Sequence, residues 1–376
     1  MFKLQILLEL IKASFRPRFK NREELQAFQQ KKIKKHIRWV KAHSEFYKNR
    51  AENNLQDFPL MNKEQMMLHF DQLNTEGVKK ADAFRIANHA EESRDFSESL
   101  KKGLTVGLSS GTSGNKGIFL ATQSERAQWV AEVLRRVLPI KLFQKHHIAF
   151  FLRSNSTLYE SIKSSVFAFH YFDLKRTIAD LYKDLVELNP SILIAPPSVL
   201  LALSELKEKN KQSFNFSKII SVAEVLESDV KITLERRFGM QISQVYQATE
   251  GFLGSTCREG VLHLHEDLIH VDCKFLDEEK TKFHPIISDF NRKTQPMLRY
   301  ELNDILHLKK EPCTCGSVLM AIDHIEGRSD DVLEFGKQKI FPDFFRHAII
   351  LASDSIQNFR LSQINNSKIL VELALD

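Results

Sequence analysis

A loop rich in glycine and hydroxyl residues is the strongest chemical signal in the sequence. Residues 109–117 read SSGTSGNKG and directly follow the strand-like run LTVGL. Glycines let a backbone approach a ligand closely, and clustered hydroxyls with exposed N–H groups form a site for anions. The spacing of Gly111 and Lys116 does not match the G-x-x-x-x-G-K-[ST] pattern of P-loop proteins. The loop therefore predicts a phosphate site outside the P-loop class.

The same segment also fits a serine hydrolase. Residues 107–111 satisfy the G-x-S-x-G pattern, which would make Ser109 a nucleophile with an Asp and a His further along the chain. A five-residue pattern has little specificity, and the continued run of glycines and hydroxyls favours phosphate. The hydrolase is kept as a third hypothesis.

Three later segments carry side chains suited to a nucleotide and a metal ion. The turn 246–251, YQATEG, offers an aromatic ring for a base and, in Thr249 and Glu250, oxygens for phosphate and Mg²⁺. Segments 299–304, RYELND, and 326–331, EGRSDD, each contain Asp and Arg that can hydrogen-bond ribose hydroxyls. On its own, YQATEG would be an ordinary turn, and each of the other two segments would more often form a surface salt bridge.

The elements that must position these segments follow from the spacing of apolar residues. Residues 1–102 are predicted to be mostly helical. Between 103 and 253 short β-rich runs alternate with helices of about 10–15 residues, which predicts an α/β fold with a largely parallel sheet. Residues 254–327 indicate antiparallel strands. Since ligands bind at the carboxyl ends of parallel strands, the segments after LTVGL, SILIA, KIIS and ISQVY are expected to meet at one cleft.

Composition limits the class of protein. The 376 residues are 43% hydrophobic and 27% charged, which excludes a disordered or collagen-like chain. The length allows one large domain and a smaller one. The four cysteines all lie in the last third, too few and too clustered for a secreted disulfide framework, so a cytoplasmic protein is expected. No apolar window reaches the ~18 residues of a membrane span.

Positive charge is concentrated at the amino terminus. The net charge is +6, and residues 1–50 hold 14 Lys or Arg against 4 Glu. Basic helices of this kind can bind nucleic acid or an anionic membrane surface. No nucleic-acid module accompanies them, so a solvated helix face is favoured and nucleic acid is not expected as a partner. A weak contact of the basic region with a membrane surface is the alternative.

Three cysteines and a histidine have the residue types of a metal site. Cys257 and His263 are separated by 49 residues from Cys313 and Cys315, and three thiolates with one imidazole are a ligand set of closed tetrahedral zinc sites. Because the C-x-C spacing is tighter than the usual C-x2-C, spacing alone leaves the site open. Cys273 is expected to be an ordinary buried thiol.

Taken in order, the four nucleotide-type segments resemble motifs of the adenylate-forming superfamily of acyl-CoA synthetases and related ligases. SSGTSGNKG is similar to its phosphate loop, YQATEG to its Tyr-x-x-Thr-Glu turn, RYELNDIL to its Tyr-Arg-Thr-Gly-Asp motif and GRSDD to its hinge motif. The runs NPSILIAPPSVLLAL, SVAEVL, HEDLIHVD, EPCTCG and IEGRSDD narrow the resemblance to the phenylacetate-CoA ligase-like branch. The resemblance extends over residues 25–345.

The resemblance implies a role for each matching residue. Thr249 and Glu250 would be the catalytic pair, with Glu250 binding Mg²⁺. The residues implied in holding the ATP phosphates are Ser109, Ser110, Gly111, Thr112, Ser113 and Gly114. Those implied in holding the nucleoside are Tyr246 stacked on adenine, the backbone near Ala223 and Glu224, and Asp304 and Arg328 on the ribose. Some members of the branch carry a comparable Cys, His, Cys, Cys cluster, which supports a structural zinc ion.

The implied reaction is attack of a carboxylate on the α-phosphate of ATP, giving an acyl-AMP and pyrophosphate. Alignment and charge neutralisation account for most of the catalysis of such a step. A thiol or an amine then displaces AMP, and the acceptor is left open between coenzyme A, an acyl-carrier protein and another thiol or amine. Core packing accounts for most of the 28 Phe residues. Those at positions where the family has its acyl pocket, which imply an aromatic or apolar acid, are Phe150, Phe151, Phe167, Phe169 and Phe172, together with Tyr171.

The resemblance also implies a division of the chain at Asp330, the hinge of a mobile C-terminal domain. We expect an adenylate-forming domain over residues 1–327 and a short α+β lid domain over residues 328–376. The stretch after Asp331 is shorter than the family's usual C-terminal domain, and no lysine in it, Lys368 included, matches the family's catalytic lysine. The alternative function is therefore a nucleotide-binding relative with impaired catalysis and a regulatory or partner-binding role.

Overall fold

A computed structural model describes residues 2–93, 103–108, 117–138, 145–152, 167–329, 333–336, 338–340, 345, 349 and 356–375. Residues 109–116 of the predicted phosphate loop, with Ser109 as the alternative nucleophile, lie outside the described residues. So does the predicted hinge at Asp330.

Four of the described helices begin next to a residue whose side chain caps them. The helices of the described residues are α1 (Phe2–Ser14), α2 (Arg22–His43), α3 (Glu45–Lys48), α4 (Lys63–Leu68), α5 (Phe70–Leu73), α6 (Lys80–Ser93), α7 (Gln123–Val137), α8 (Ile178–Leu188), α9 (Pro197–Lys209) and α10 (Ser228–Phe238). α7 begins with a capping box, in which Thr122 accepts from the Glu125 N–H and the Glu125 carboxylate accepts from the Thr122 N–H. Asn21 caps the start of α2, and its side chain accepts from the Glu24 N–H. α10 ends at Gly239 with a φ of +70°, a conformation that glycine adopts without steric cost.

A large mixed sheet forms the centre of the fold. The strands are β1 (Thr105–Leu108), β2 (Ile118–Ala121), β3 (His146–Leu152), β4 (Phe167–Asp173), β5 (Ile192–Ala195), β6 (Lys218–Ser221), β7 (Ile242–Ala248), β8 (Gly251–Thr256), β9 (Leu262–Leu264), β10 (Ile269–Phe275), β11 (Lys282–Asp289), β12 (Tyr300–Glu301), β13 (Asp304–Leu308), β14 (Ala321–Arg328), β15 (Leu333–Phe335), β16 (Gln338–Ile340), β17 (Ile356–Asn365) and β18 (Lys368–Leu375). The sheet has 12 strands in the order β10-β11-β13-β14-β9-β8-β7-β6-β5-β3-β4, with β12 paired to β11.

The direction of the strands changes at β7. From β4 through β3, β5 and β6 to β7 the strands are parallel, and from β7 through β8 to β10 every pairing is antiparallel. The predicted α/β fold, with a parallel sheet followed by an antiparallel segment, is confirmed. Beyond β14 the described strands pair as two hairpins, β15 with β16 and β17 with β18.

β1, which contains most of the LTVGL run, was expected to lie in the parallel sheet with the SILIA, KIIS and ISQVY runs. Those three runs form β5, β6 and β7 of the large sheet, whereas β1 lies outside it. It pairs antiparallel with β2, so that Thr105 is opposite Ala121 and Leu108 is opposite Ile118. Only residues 109–117 connect the two strands. A parallel crossover needs about a dozen residues or more, so a connection of this length produces a hairpin. The glycine-rich loop therefore joins the strands of this separate hairpin.

The parallel strands are buried on both faces. In β6, Ile220 packs in a cluster with apolar residues of α1, α2 and α7, while Ile219 packs on the other face against α8, α9 and α10. This burial explains why β5 and β6 read as continuous apolar runs rather than alternating ones. None of the helices in the described part of the chain combines the length and apolar character that a membrane span requires.

Candidate functional site

Three of the four predicted segments meet beside the carboxyl end of β7. This strand is parallel to β6 and antiparallel to β8. A tight turn at Thr249 and Glu250 connects β7 to β8. The start of β13 and the end of β14 lie against it through side-chain contacts. In α/β sheets, ligands bind outside the carboxyl ends of strands.

Tyr246, Asp304 and Arg328 form one hydrogen-bonded group. The Tyr246 hydroxyl donates to Asp304 Oδ2 at 2.6 Å, and Arg328 Nε donates to Asp304 Oδ1 at 3.1 Å. Asp304 and Arg328 are directly opposite each other in the β13–β14 pairing, which fixes their approach. Thus one residue from each of three separate motifs contacts another of the group.

The protonation of this group follows from its burial. Tyr246 and Asp304 are both 7% exposed. Burial raises the pKa of Asp304, while the Arg328 charge and the Tyr246 hydroxyl oppose that rise. Burial, reinforced by the Asp304 charge, also raises the pKa of Tyr246 well above its usual value, so this phenol remains a hydrogen-bond donor at neutral pH.

Glu250 is a buried carboxylate with two hydroxyl partners. Its Oε1 accepts from the Tyr300 hydroxyl at 3.0 Å, and its Oε2 accepts from the Thr249 hydroxyl at 2.8 Å. Glu250 is 7% exposed. Each carboxylate oxygen has more than one acceptor position, so these two bonds leave capacity for a cation. The donor type is the one that Mg²⁺ prefers.

Arg292 and Tyr300 belong to this site although no motif pointed to their roles. Arg292 Nη1 donates to the Thr249 carbonyl at 2.7 Å. Its Nε and Nη2 are buried and have no hydrogen-bond partner within the described part of the chain. Tyr300 lies inside the RYELND segment, but the contact of its hydroxyl with Glu250 depends on the packing of β12 beside β11. The sequence signal for Arg292 is one basic residue in a polar turn, which is common on surfaces.

Ala223 and Glu224 follow the carboxyl end of β6, the neighbour of β7. Ala223 has a φ of +68°, which is uncommon for a residue with a Cβ and occurs frequently at ligand sites. The Glu224 N–H donates to the Val222 carbonyl at 2.9 Å. The Glu224 carboxylate accepts at 3.3 Å from the N–H of Ser198, which lies in the first turn of α9. Both residues therefore lie on the expected edge of the sheet. The six loop residues from Ser109 to Gly114 lie outside the described part of the chain.

The predicted metal ligands come together as a second cluster. The donor atoms of Cys257, His263, Cys313 and Cys315 all lie within 4.8 Å of one another. The Sγ atoms of Cys257 and Cys313 are 3.7 Å apart, and Cys315 Sγ is 3.5 Å from His263 Nε2. Tetrahedral zinc with bonds of about 2.3 Å to sulfur and about 2.1 Å to nitrogen would separate neighbouring donors by about 3.6–3.8 Å. The four residues therefore fit a zinc ion.

Backbone contacts hold these donors in position. His263 Nδ1 lies 3.0 Å from the Leu319 carbonyl, which fixes the ring with Nε2 toward the cysteines. The N–H groups of Glu259 and Ser317 point at Cys257 Sγ and Cys315 Sγ, each at 3.4 Å. The remaining thiol, Cys273, lies outside the cluster, and burial raises its pKa to about 12, as expected for an unreactive thiol.

Comparison with known proteins relates the fold to CoA ligases. No protein-family model matches the chain, and no curated protein matches it. The structure of 2-hydroxyisobutyryl-CoA ligase with 2-HIB-AMP, in the postadenylation state, superimposes with a TM-score of 0.65 at 14% identity, covering 93% of this chain and 78% of that chain. The same ligase with 2-HIB-AMP and CoA in the thioesterification state gives a TM-score of 0.63 at 14% identity, with 93% and 78% covered. Its open conformation gives 0.61 at 14% identity, with 92% and 78% covered. At this identity the comparison shows a shared fold.

Proposed function

We propose that this protein is an AMP-forming ligase that activates a carboxylic acid with ATP and Mg²⁺. The acid would form an acyl-AMP and release pyrophosphate, and a thiol of coenzyme A or of a protein, or an amine, would then displace AMP. The observation that carries this proposal is the group formed by Tyr246, Asp304 and Arg328. This group brings together three motifs that are far apart in the sequence and resemble those of adenylate-forming enzymes. They meet at one edge of the large sheet, in a chain whose fold is similar to that of a CoA ligase.

Each residue of the group has a chemical role in this proposal. Asp304 is a charge-bearing acceptor with both oxygens already oriented by Tyr246 and Arg328, and such an acceptor suits the two hydroxyls of a ribose. The ring of Tyr246 would contact adenine, with the backbone at Ala223 and Glu224 along its edge. The Arg328 charge opposes the rise that burial causes in the pKa of Asp304, and Arg328 would itself contact the ribose.

The phosphates would lie on the other side of the group, toward Glu250. Mg²⁺, when bound, would neutralise phosphate charge from the Glu250 carboxylate. Arg292 has two buried donors without partners in the described residues, and a guanidinium of this kind suits phosphate oxygens. Thr249 and the loop 109–114 would complete the phosphate contacts. The protein thus acts by alignment and charge neutralisation, which are the main needs of an attack on the α-phosphate.

The acid is proposed to be aromatic or apolar. In β3 and β4, Phe150, Phe151 and Phe172 are core residues with at most 5% of their surface exposed. Phe169 and Tyr171 share one face of β4 and are only half-buried, so they are the side chains of this group that remain for a substrate. We further propose the phenylacetate-CoA ligase-like branch, on the IEGRSDD run and the Cys and His cluster. We also propose a cytoplasmic location, since none of the four cysteines, all of which lie in the described residues, forms a disulfide.

Zinc is proposed as a structural ion. Its ligands come from the loop after β8, from β9 and from the connection between β13 and β14. All four positions would be filled by the protein, as in structural rather than catalytic zinc sites. The ion would hold the β13–β14 connection beside β9, and so stabilise the two strands that carry Asp304 and Arg328.

Exchange of labelled pyrophosphate into ATP tests the proposal. We expect exchange that depends on Mg²⁺ and on one class of acid in a panel of aromatic, branched and linear carboxylic acids. The Ser109→Ala variant separates the hydrolase, because loss of ester hydrolysis with unchanged nucleotide affinity would support that alternative. Binding of ATP without exchange for any acid would instead favour the nucleotide-binding relative with impaired catalysis.

A further inference from the structure

α1 carries apolar side chains on two opposite faces. One face is packed on the body of the protein, where Ile6 and Ala13 are buried. The opposite face is exposed, and its members are Leu4 at 61%, Leu7 at 51%, Leu8 at 49%, Ile11 at 47% and, directly after the helix, Phe15 at 83%. Their spacing of three and four residues places them in one stripe along the helix.

This concentration is unusual for the surface. Five of the 14 large apolar side chains exposed among the described residues belong to this one stripe. Single exposed apolar residues are common, whereas a contiguous patch marks an interaction site. α1 is already held on the protein by its opposite face, which packs in the core beside α7. Burial of the exposed stripe is therefore not required for α1 to fold.

Basic residues border the stripe. At 100° per residue, Lys3 and Lys12 lie on its two margins, and both are exposed. The outward face of α2 carries the exposed cations Lys31, Lys34, Lys35 and Arg38, and no acidic residue occurs between Leu25 and Ser44.

The end of α1 and the basic face of α2 lie in one region. The Phe19 ring, in the connection between the helices, is 5.2 Å from the Phe28 ring, and Lys32 lies 5.3 Å from the latter. Burial lowers the pKa of Lys32, and the neighbouring charge of Arg16 at the end of α1 lowers it further. These contacts place the basic helix α2 beside the carboxyl-terminal end of α1, where the apolar stripe ends.

We propose that α1 and the basic face of α2 dock this protein on an anionic membrane surface. An apolar helix stripe bordered by lysines matches the acyl boundary and the charged headgroups of such a bilayer at once. A second copy of the chain is disfavoured, because a two-fold contact through this surface would oppose two regions of the same positive charge. The docking surface is separate from the nucleotide site of the proposed function, so either proposal can fail without the other.

Vesicle sedimentation of the full chain tests the proposal. We expect binding to phosphatidylcholine vesicles with about 30 mol% phosphatidylserine, weak binding to phosphatidylcholine alone, and loss of binding at high salt. Replacing the stripe, as Leu4→Gln, Leu8→Gln and Ile11→Gln together, should weaken binding at least about tenfold. Its control is Leu68→Gln with Ile232→Gln, which removes two apolar residues elsewhere, each 67% exposed, and should leave binding unchanged.

The charge contribution is tested separately. Each lysine near an anionic bilayer should strengthen binding by somewhat less than about tenfold. The triple variant Lys31→Gln, Lys34→Gln and Lys35→Gln should therefore weaken vesicle binding roughly 100-fold at low salt. The control is Lys175→Gln with Lys209→Gln. It removes one exposed lysine just before α8 and one at the end of α9, and it should have little effect on vesicle binding.

Three results would overturn the proposal. One is equal sedimentation with both kinds of vesicle or with neither. Another is wild-type binding by the stripe variant, checked for an unchanged thermal melting curve. The third is a dimer by light scattering that dissociates in the stripe variant, since that result would assign the surface to a second copy.

Discussion

Replacing Asp304 by Asn removes the charge at the centre of the candidate site while keeping its shape. The residue is 7% exposed, and its carboxylate accepts from the Tyr246 hydroxyl and is paired with Arg328 Nε. A hydrogen bond to a charged group contributes about 1.5–3 kcal/mol, so Asp304→Asn should weaken AMP binding roughly 10–150-fold. The loss of folding stability should be smaller than the ~3–5 kcal/mol of a fully buried pair, at about 1–2 kcal/mol, because the Arg328 side chain is 39% exposed.

Calorimetric titration with AMP measures this effect, alongside thermal melting of the free protein. Glu301→Gln is the matched control, since it makes the same carboxylate-to-amide change three residues earlier, where Glu301 pairs with the half-exposed Lys274. The control should bind AMP like the wild type. The reasoning is refuted if Asp304→Asn binds AMP with wild-type affinity, or if both variants lose affinity equally.

Three further predictions follow from other parts of the molecule. Cys257→Ser should lose bound zinc by elemental analysis and melt at a lower temperature, while Cys273→Ser keeps the metal; equal metal in both would remove Cys257 from the ligand set. Arg292→Gln should slow pyrophosphate exchange and weaken ATP binding much more than AMP binding, and equal losses for both nucleotides would exclude a role at the outer phosphates. Burial lowers the pKa of His36 from 6.5 to about 4. Between pH 6.5 and pH 4 the unfolded chain therefore binds more protons than the folded protein. The free energy of unfolding, highest above pH 6.5, should fall by up to about 3 kcal/mol as the pH is lowered toward 4. His36→Leu should flatten that loss in urea unfolding at pH 7 and pH 5, and an unchanged slope would contradict the assignment.

The sheet could be predicted largely from local patterns. The continuous apolar runs of β5 and β6 and the capping box at Thr122 and Glu125 are local signals, and the structure has a strand or a helix at each. β1 was different, because its sequence resembles the other strands and only the short connection to β2 decides between a crossover and a hairpin.

The candidate site could be predicted in part. Its motifs are readable in the sequence, but the contact between Asp304 and Arg328 depends on the register of β13 against β14, which includes irregularities that no motif encodes. Arg292 gave no distinctive sequence signal, because its importance comes from its burial and from the two donors that have no partner within the described residues. The exposed stripe of α1 could not be assigned from the sequence, because apolar residues lie on two faces of this helix and only the structure shows which face is buried.

Mass spectrometry of the protein under native conditions tests the central claim most directly. The protein is incubated with ATP, Mg²⁺ and a panel of aromatic and apolar carboxylic acids, and the retained small molecules are identified. We predict an acyl-adenylate of one acid class bound to the wild type and greatly reduced in Asp304→Asn. Retention of no adenylate from any acid, by a protein that binds ATP, would contradict the assignment of this site to acid activation.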